Sequence, residues 1–194
     1  MAELATAGAA LLKLDLTDDA SIVAAVNAIK SEAGRIDVLV NNAGYGSYGA
    51  LEDVPLSEGR RQFEVNVFGL ARLCQLVLPM MRAQKSGKIV NITSIGGKIW
   101  EPLGGWYHAT KFAVEGLSDC LRVEVAPFGI DVIVIEPGAI RTEWAGSRAR
   151  ACCKCPATAL MGSLRSVMRA CWPPRKHRAL LRRRKSSRAP SCAP

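Results

Sequence analysis

The sequence lacks the features that mark membrane and secreted proteins. No apolar run in its 194 residues approaches the length of about 20 residues that a transmembrane helix needs. The N-terminus has no basic region before its first apolar stretch, so no signal peptide is expected. We therefore predict a cytoplasmic protein without a membrane partner. At this length it is expected to form one domain with a hydrophobic core.

Acidic residues are missing from the C-terminal part of the chain. Residues 1–146 contain 13 Lys and Arg and all 17 Asp and Glu, for a net charge of −4. Residues 147–194 contain the other 13 basic residues and no acidic one, for a net charge of +13, and five of the seven cysteines. The overall charge of +9 therefore belongs to the tail. We predict a folded domain over 1–146 and a separate basic tail over 147–194.

Three interpretations of this tail remain open. The basic run from Arg175 to Lys185 is typical of a nuclear-localisation signal or a nucleic-acid patch. A zinc site is the second, although the spacing of its candidate ligands fits no standard two-pair site; these ligands are Cys152, Cys155, Cys171 and His177. The abrupt change in composition favours the third, a shifted reading frame or unrelated terminus that is disordered for lack of a core. We accordingly predict no metal site, and nucleic-acid binding is considered for the tail alone.

Apolar periodicity in the domain predicts strands that alternate with helices. The predicted strands are Ala9–Leu16, Ile36–Asn41, Lys88–Thr93 and Ile130–Ile135, and the predicted helices are Asp19–Ala33, Ser57–Gln84 and Trp106–Pro127. This alternation indicates an α/β fold with a doubly wound parallel sheet. The strands are nearly continuous in apolar residues, as expected where helices cover both faces of a sheet. Ligands of such sheets bind at the carboxyl ends of the strands.

Tyr107 and Lys111 are candidates for acid–base chemistry. They stand four residues apart at the start of a predicted helix, so both side chains project from one face. A lysine ammonium beside a phenol favours the phenolate and lowers a pKa that is about 10 in water. Tyr107 is therefore a candidate acid or base near neutral pH. The spacing alone is weak, because a Tyr and a Lys four residues apart more often form a solvated helix face.

Ser94 and Asn66 are two further candidates. Ser94 follows the predicted strand that ends at Thr93, where its hydroxyl can donate to a substrate oxygen; the alternative is a turn or cap serine. Asn66 lies in an otherwise apolar helix, where asparagine is mildly unfavourable. It is either a polar group satisfied by backbone or water, or it marks a helix distortion that anchors a water.

Small-residue turns follow two of the predicted strands. The segment Asn41–Gly44 (Asn-Asn-Ala-Gly) allows close approach of backbone to a ligand, and its amides can brace the neighbouring strand. The turn Pro137–Thr142 can present backbone and a hydroxyl to a flat polar ring. The segment Gly44–Gly49 spells G-x-G-x-x-G, but a phosphate site needs that loop to open a helix. The following segment, Ala50–Pro55, has two acids, a proline and no helical spacing of apolar residues, so it does not predict a helix. We therefore interpret Gly44–Gly49 as a loop beside the substrate pocket.

In order and spacing, these motifs together resemble the short-chain dehydrogenase/reductase (SDR) family. The motifs are Asn-Asn-Ala-Gly, the helical Asn, a Ser thirteen residues before Tyr-x-x-x-Lys, and Pro-Gly-x-Ile-x-Thr, from about Leu14 to Glu143. The resemblance implies a Rossmann-like fold. It also implies an enzyme that transfers hydride between NADP or NAD and a carbonyl or secondary alcohol of a small-molecule substrate. The long helices resemble those with which the family forms homo-oligomers.

The resemblance implies roles for individual residues. Tyr107 exchanges a proton with the substrate oxygen, Lys111 lowers the Tyr107 pKa and hydrogen-bonds the nicotinamide ribose, and Ser94 orients the substrate oxygen. Asn66 holds a water that extends a proton relay from Lys111. The implied cofactor contacts besides Tyr107 and Lys111 are Asp15 and Leu16 at the adenine, Asn42, Ala43 and Gly44 along the adenosine, and Pro137, Gly138, Ile140 and Thr142 at the nicotinamide.

The sequence departs from the family at its start. The family's phosphate loop, Thr-Gly-x-x-x-Gly-x-Gly, should stand well before Asp15, and the fourteen residues before Asp15 do not contain it. The resemblance therefore implies a sheet truncated at its N-terminal end. We expect this chain alone to bind NADH and NADPH poorly and to fold marginally. The alternative function is an inactive dehydrogenase scaffold that acts as a binding protein through its basic tail.

The substrate itself is not specified by any motif. An apolar pocket is expected from the aromatic and aliphatic residues near the motifs, and this favours a hydrophobic or cyclic carbonyl compound. The residues concerned are Tyr45, Tyr48, Trp100, Leu103 and Trp106.

Overall fold

The computed structural model describes residue 6 and residues 8–138 of the chain. In this part, three parallel strands form one sheet in the order β1 (Val38–Asn41), β2 (Gly87–Ile92) and β3 (Ile130–Ile135). The main helices are α1 (Asp19–Ala33), α2 (Leu56–Phe63), α3 (Gly69–Gln84) and α4 (Gly105–Val125), with a π-helix at Glu64–Phe68 and 3₁₀ turns at Ile95–Gly97 and Ala126–Phe128. The predicted parallel α/β fold is confirmed. The tail over 147–194, with its cysteines, and the residues Ile140 and Thr142 lie outside the described residues.

Helix α1 begins and ends at the residues that the sequence predicts. The Asp18 carboxylate accepts a hydrogen bond from the Ala20 amide at 3.0 Å and so caps the N-terminus. Gly34 ends the helix with φ +68°, a left-handed conformation that glycine adopts without steric cost. Ile22 and Val26 are buried on the face that packs against α3.

The predicted helix Ser57–Gln84 is interrupted by a π-helical turn. At its end the Gly69 amide donates to the Glu64 carbonyl, five residues back instead of four. Asn66 lies within this turn, so the helix distortion that was one of its two interpretations is present. The whole run Leu56–Gln84 is long and apolar enough to cross a membrane by length and composition, a test that core helices of soluble proteins also pass.

One face of the sheet is covered by helices among the described residues. Ile89 and Val132 point into the hydrophobic core, where they meet Val77 from α3 and Val114 from α4. On the opposite face Val40 is 56% exposed, and Val38, Ile133 and Ile135 are also exposed. The sequence predicted helices on both faces of the sheet. Within the described residues, helices cover one face.

The predicted strand Ala9–Leu16 is wrong. The segment is irregular, and Leu11, Leu12 and Leu14 are exposed. An apolar segment becomes a strand only where a neighbour satisfies its backbone groups, and none of the three described strands pairs with it. The other predicted strands and helices are found within two residues of their predicted bounds, apart from the π-helical interruption.

Candidate active site

The polar motifs meet at the carboxyl edge of the sheet, as predicted for a ligand site. Asn41 ends β1, Ser94 follows β2 and Pro137 follows β3. The Thr93 amide donates to the Ile135 carbonyl at 2.9 Å, and the Ile95 amide donates to the Pro137 carbonyl at 3.1 Å. These bonds hold the last two strand ends side by side.

A buried amide ladder braces this edge. Asn41 Nδ2 donates to Asn91 Oδ1 at 2.9 Å, and Asn91 Nδ2 donates to the Ser118 hydroxyl on α4, also at 2.9 Å. The predicted bracing of the neighbouring strand by Asn41 is therefore confirmed. Both amide nitrogens and the Asn91 oxygen are paired, whereas the buried Asn41 Oδ1 has no hydrogen-bond partner. Because buried hydrogen bonds are costly to break, the ladder favours one arrangement of β1, β2 and α4.

Tyr107 lies in the first turn of α4 and is only 5% exposed. Its ring packs against Tyr48 and His108, with ring centroids 5.6 Å apart in both cases. A Cβ atom added at Gly96 would come within 3.0 Å of Tyr107 Cε1, so the loop after Ser94 lies directly on the ring. Burial and packing on three sides fix the ring.

Lys111 lies one helical turn beyond Tyr107, with Nζ 5.8 Å from the centroid of the tyrosine ring. Its ammonium donates to the Ile92 carbonyl at 2.9 Å, at the end of β2. Burial lowers the pKa of Lys111 to about 8, and the negative charge of Glu115 opposes that shift. The side chain is therefore still mainly cationic at neutral pH, and it places a positive charge beside the Tyr107 ring.

Ser94 is a cap serine, one of the two roles considered for it, and its role at a substrate oxygen stays a prediction. Its hydroxyl oxygen accepts a hydrogen bond from the Gly96 amide at 3.0 Å and so caps the 3₁₀ turn Ile95–Gly97. Its hydroxyl group is 3.5 Å from the Pro137 carbonyl, at the outer limit for a hydrogen bond. The proton is therefore weakly held, and a substrate oxygen at this edge can accept it instead.

Asn66 connects the loop after β1 to α4. Its Nδ2 donates to the Tyr45 carbonyl at 2.8 Å and to the Thr110 hydroxyl at 3.1 Å, and its Oδ1 accepts from the Tyr45 amide at 3.1 Å. The side chain is 3% exposed and is satisfied by protein groups. The relay water that the resemblance implies stays a prediction.

The remaining described cofactor candidates lie directly after β1, directly after β3 and, for Asp15 and Leu16, before α1. Asn42, Ala43 and Gly44 are exposed, as are Asp15 and Gly138, whereas Leu16 and Pro137 are half-buried. Asp15 Oδ1 accepts from the Thr17 amide and hydroxyl at 2.9 and 2.7 Å, and these bonds lower the pKa of its carboxyl.

Gly69 positions the segment predicted to contact the adenine. A Cβ atom at Gly69 would lie 2.7 Å from Leu16 Cβ and 2.8 Å from the Leu16 carbonyl oxygen. We therefore expect Gly69→Ala to displace Asp15 and Leu16 and to lower the free energy of unfolding by about 1–3 kcal/mol. Thermal unfolding and NADH titration measure the two effects. Gly116→Ala is the control, because a Cβ atom at Gly116 in α4 would meet no atom within 4 Å. We expect it to leave NADH binding unchanged and the free energy of unfolding unchanged or slightly raised. Equal melting temperatures for the two variants would contradict the steric role of Gly69.

An apolar cleft of about 340 Å³ lies beside the loop after Tyr48. Leu51, Leu103 and Trp106 contribute to its wall, so two of the five predicted pocket residues line it. Trp100 does not line it and is 75% exposed. The segment Gly44–Gly49 opens no helix, since α2 begins only at Leu56, and its interpretation as a loop is confirmed.

Sequence reasoning missed three residues that build the site. His108 Nε2 accepts from the Glu101 amide at 3.0 Å, so Nδ1 carries the proton that faces the Gly96 carbonyl at 2.8 Å. Thr110 holds Asn66, and nothing in the spacing of the two residues indicates this. Glu115 extends the four-residue spacing of Tyr107 and Lys111 by another turn, a signal that could have revealed it.

The comparisons with known proteins agree with this geometry. The family model described as short chain dehydrogenase matches residues 1–152. A 3-ketodihydrosphingosine reductase from Bacteroides thetaiotaomicron is 47% identical over 138 residues, which cover 71% of this chain and 51% of that protein. The chain thus spans about half the length of the curated relatives it matches.

Two solved structures show the same fold. The gluconate 5-dehydrogenase from Burkholderia cenocepacia, in complex with NADP and tartrate, has a TM-score of 0.65 and 31% identity, over 74% of this chain and 55% of that one. The 3-ketoacyl-(acyl-carrier-protein) reductase from Brucella melitensis, complexed with NADH, has a TM-score of 0.68 and 32% identity, over 71% of this chain and 58% of that one. Together with the buried Tyr107, the adjacent Lys111 and the strand-end Ser94, these matches establish that the chain belongs to the short-chain dehydrogenase family.

Proposed function

We propose that the protein is an oxidoreductase that transfers hydride between NADP or NAD and a carbonyl or secondary-alcohol carbon of a small molecule. The observation that carries this proposal is the convergence of Ser94, Tyr107 and Lys111 at one strand edge, with Lys111 Nζ 5.8 Å from the tyrosine ring. The family membership and the NADP and NADH in the two solved relatives support it. The relatives' names give no support to the alternative of an inactive scaffold.

The chain's own residues account for the proton side of the reaction. In the reductive direction the Tyr107 hydroxyl donates its proton to the substrate carbonyl oxygen as hydride reaches the carbonyl carbon. The Lys111 ammonium stabilises the phenolate that remains. The Ser94 hydroxyl donates a hydrogen bond to the same substrate oxygen and stabilises its developing charge. In the oxidative direction the phenolate takes the proton back from the alcohol.

The small exposed residues after β1 fit a cofactor, which supplies and accepts the hydride when bound. Asn42, Ala43 and Gly44 are exposed there, and the last two have little or no side chain to block a ligand. Asp15 and Leu16 would flank the adenine, and Lys111 would contact the nicotinamide ribose. Weak cofactor binding by the chain alone stays a prediction.

The substrate class we propose is a hydrophobic carbonyl compound. The cleft lined by Leu51, Leu103 and Trp106 is mainly apolar, although Glu52 and Glu101 also line it. The similar protein from Bacteroides thetaiotaomicron is by name a reductase of a ketone. A homo-oligomer also remains a proposal. Exposed Phe112, Leu117 and Val123 on α4 are apolar side chains that such an association could bury.

Deuterium transfer tests the proposed reaction. The purified chain is incubated with NADPH or NADH deuterated at the hydride position and with a panel of ketones, and mass spectrometry measures deuterium in the alcohols. We expect transfer with the wild-type chain and a loss of about 10²–10³-fold in rate for Ser94→Ala. Ser86→Ala, an exposed serine before β2, is the control and should transfer at the wild-type rate. No transfer at cofactor concentrations shown by titration to saturate the protein would reject the proposed activity for this chain.

A further inference from the structure

Glu115 is a buried carboxylate one helical turn beyond Lys111. It is 6% exposed, and a buried charge is strongly unfavourable unless it is paired and hydrogen-bonded. Both of its oxygens have partners: Oε1 accepts from the Thr93 hydroxyl at 2.6 Å, and Oε2 pairs with Lys98 Nζ at 2.9 Å. None of the roles assigned to the proposed reaction uses this carboxylate.

These partners belong to the segments that carry the site. Thr93 directly precedes Ser94, and its hydroxyl is also 3.2 Å from the Ile135 carbonyl at the end of β3. Lys98 follows the turn that Ser94 caps, and its Nζ is 3.6 Å from Glu136, the residue before Pro137. Glu115 therefore connects α4 to the ends of both β2 and β3.

The turn between these partners packs on the helix at the same place. A Cβ atom at Gly97 would lie 2.9 Å from Glu115 Cγ and 3.2 Å from the Lys111 carbonyl oxygen. The turn Ile95–Gly97 therefore rests on α4 between Lys111 and Glu115. A shift of Glu115 would be transmitted directly to the loop that carries Ser94.

We infer that Glu115 is a positioning residue of the active site, which fixes Ser94 through Thr93 and Lys98 and sets the electrostatic environment of Lys111. It does this without contact with substrate or cofactor. Among the described residues, Glu115 and Tyr107 lie one helical turn from Lys111 on its own helix, and Lys98 from the loop pairs with Glu115 and lies 3.6 Å from Glu136 at the end of β3. Among them, Glu115 is the negative charge that opposes the effect of burial on the pKa of Lys111. The catalytic part of this inference rests on the proposed function, and the electrostatic part does not.

Two substitutions with opposite expected effects test the inference in the full chain. Glu115→Gln removes the negative charge but keeps an oxygen that Thr93 can bond. Lys98→Gln removes the half-exposed cation that compensates Glu115 and leaves the carboxylate in place. NMR titration of the Lys111 side chain, labelled with ¹³C and ¹⁵N and assigned with Lys111→Arg, reports the midpoint without substrate or cofactor.

We expect the Lys111 midpoint to fall by about one pH unit or more in Glu115→Gln and to rise in Lys98→Gln. Glu124→Gln, which removes an exposed carboxylate from the same helix, should leave it unchanged. An unchanged midpoint in both test variants, or a shift of the same sign in both, would overturn the inference. Because Lys98 is half-exposed, Lys98→Gln is expected to fold, and an unchanged Lys111 midpoint in that variant would overturn the inference even if Glu115→Gln fails to fold.

Turnover provides the second readout. In Glu115→Gln, kcat should fall with little change in KM, and the alkaline limb of its pH profile should move to lower pH together with the Lys111 midpoint. A fall in kcat with the pH profile in its wild-type position would indicate a merely structural role. If the wild-type chain shows no turnover at all, the proposed function fails, and the NMR titrations still decide the electrostatic role of Glu115.

Discussion

Tyr107→Phe is expected to lower kcat by about 10²–10⁴-fold, the contribution that a positioned acid or base typically makes. The variant loses the group that gives a proton to the substrate oxygen and keeps the ring that packs against Tyr48 and His108. The loss should therefore fall on the chemical step. Steady-state kinetics with the best ketone from the deuterium assay measures kcat, while thermal unfolding and NADPH titration verify that folding and cofactor binding are retained.

Tyr48→Phe is the matched control for this substitution. Tyr48 is also buried, and its ring lies next to that of Tyr107, but it belongs to the loop between β1 and α2 and not to a helix that carries a lysine one turn later. Each variant removes one hydroxyl group from the same pair of packed rings, so a nonspecific packing defect would lower kcat similarly in both. If Tyr107→Phe kept kcat within tenfold of the wild type while Tyr48→Phe lost it, the proton would come from Tyr48 and the proposed role of Tyr107 would be wrong.

Asn66→Ala is expected to cause the largest loss of stability among the site substitutions. It removes three hydrogen bonds and leaves the Tyr45 amide without its side-chain acceptor, whereas the Tyr45 carbonyl keeps Gln62 and the Thr110 hydroxyl still donates to the Tyr107 carbonyl. Buried polar groups left without partners cost about 1–3 kcal/mol each, so we expect the free energy of unfolding to fall by about 3 kcal/mol. Urea denaturation measures this change.

Asn66→Asp separates the donors of this side chain from its acceptor. The aspartate keeps an oxygen for the Tyr45 amide but sets a carboxylate against the Tyr45 carbonyl, so it should be at least as destabilising as alanine. Asn27→Ala, on the exposed face of α1, is the control and should be neutral or slightly stabilising because alanine is the better helix former. A loss below about 1 kcal/mol for Asn66→Ala would show that the loop after β1 is held by other contacts.

Local signals in the sequence predicted what is decided locally. Asp18 and Gly34 bound α1 because a cap and a left-handed glycine act on their own neighbours. The apolar run Ile130–Ile135 is the strand β3 without adjustment. The segment Ala9–Leu16 has similar composition and is not a strand, since pairing depends on a partner elsewhere in the chain that local composition does not reveal.

The candidate site divides in the same way. Tyr107 and Lys111 were found because helical spacing places them on one face, and Ser94 was found because it directly follows a predicted strand. Thr110 was missed because its contact with Asn66 joins residues 44 positions apart. Glu115 was missed because a carboxylate in a helix usually faces solvent, and only the packed turn Ile95–Gly97 shows that this one is buried.

The π-helical turn at Glu64–Phe68 is equivalent to one residue inserted into an otherwise regular α-helix. Deleting one residue there would restore regular α-helical hydrogen bonding, yet it would rotate everything on one side of the deletion by about 100° and move it by about 1.5 Å along the axis. Asn66 and Gln62, which both reach the Tyr45 backbone, could then no longer do so together. A regular α-helix along this stretch would therefore disrupt the loop after β1. The π-helical turn allows Asn66 and Gln62 to hold that loop in the arrangement that the site needs.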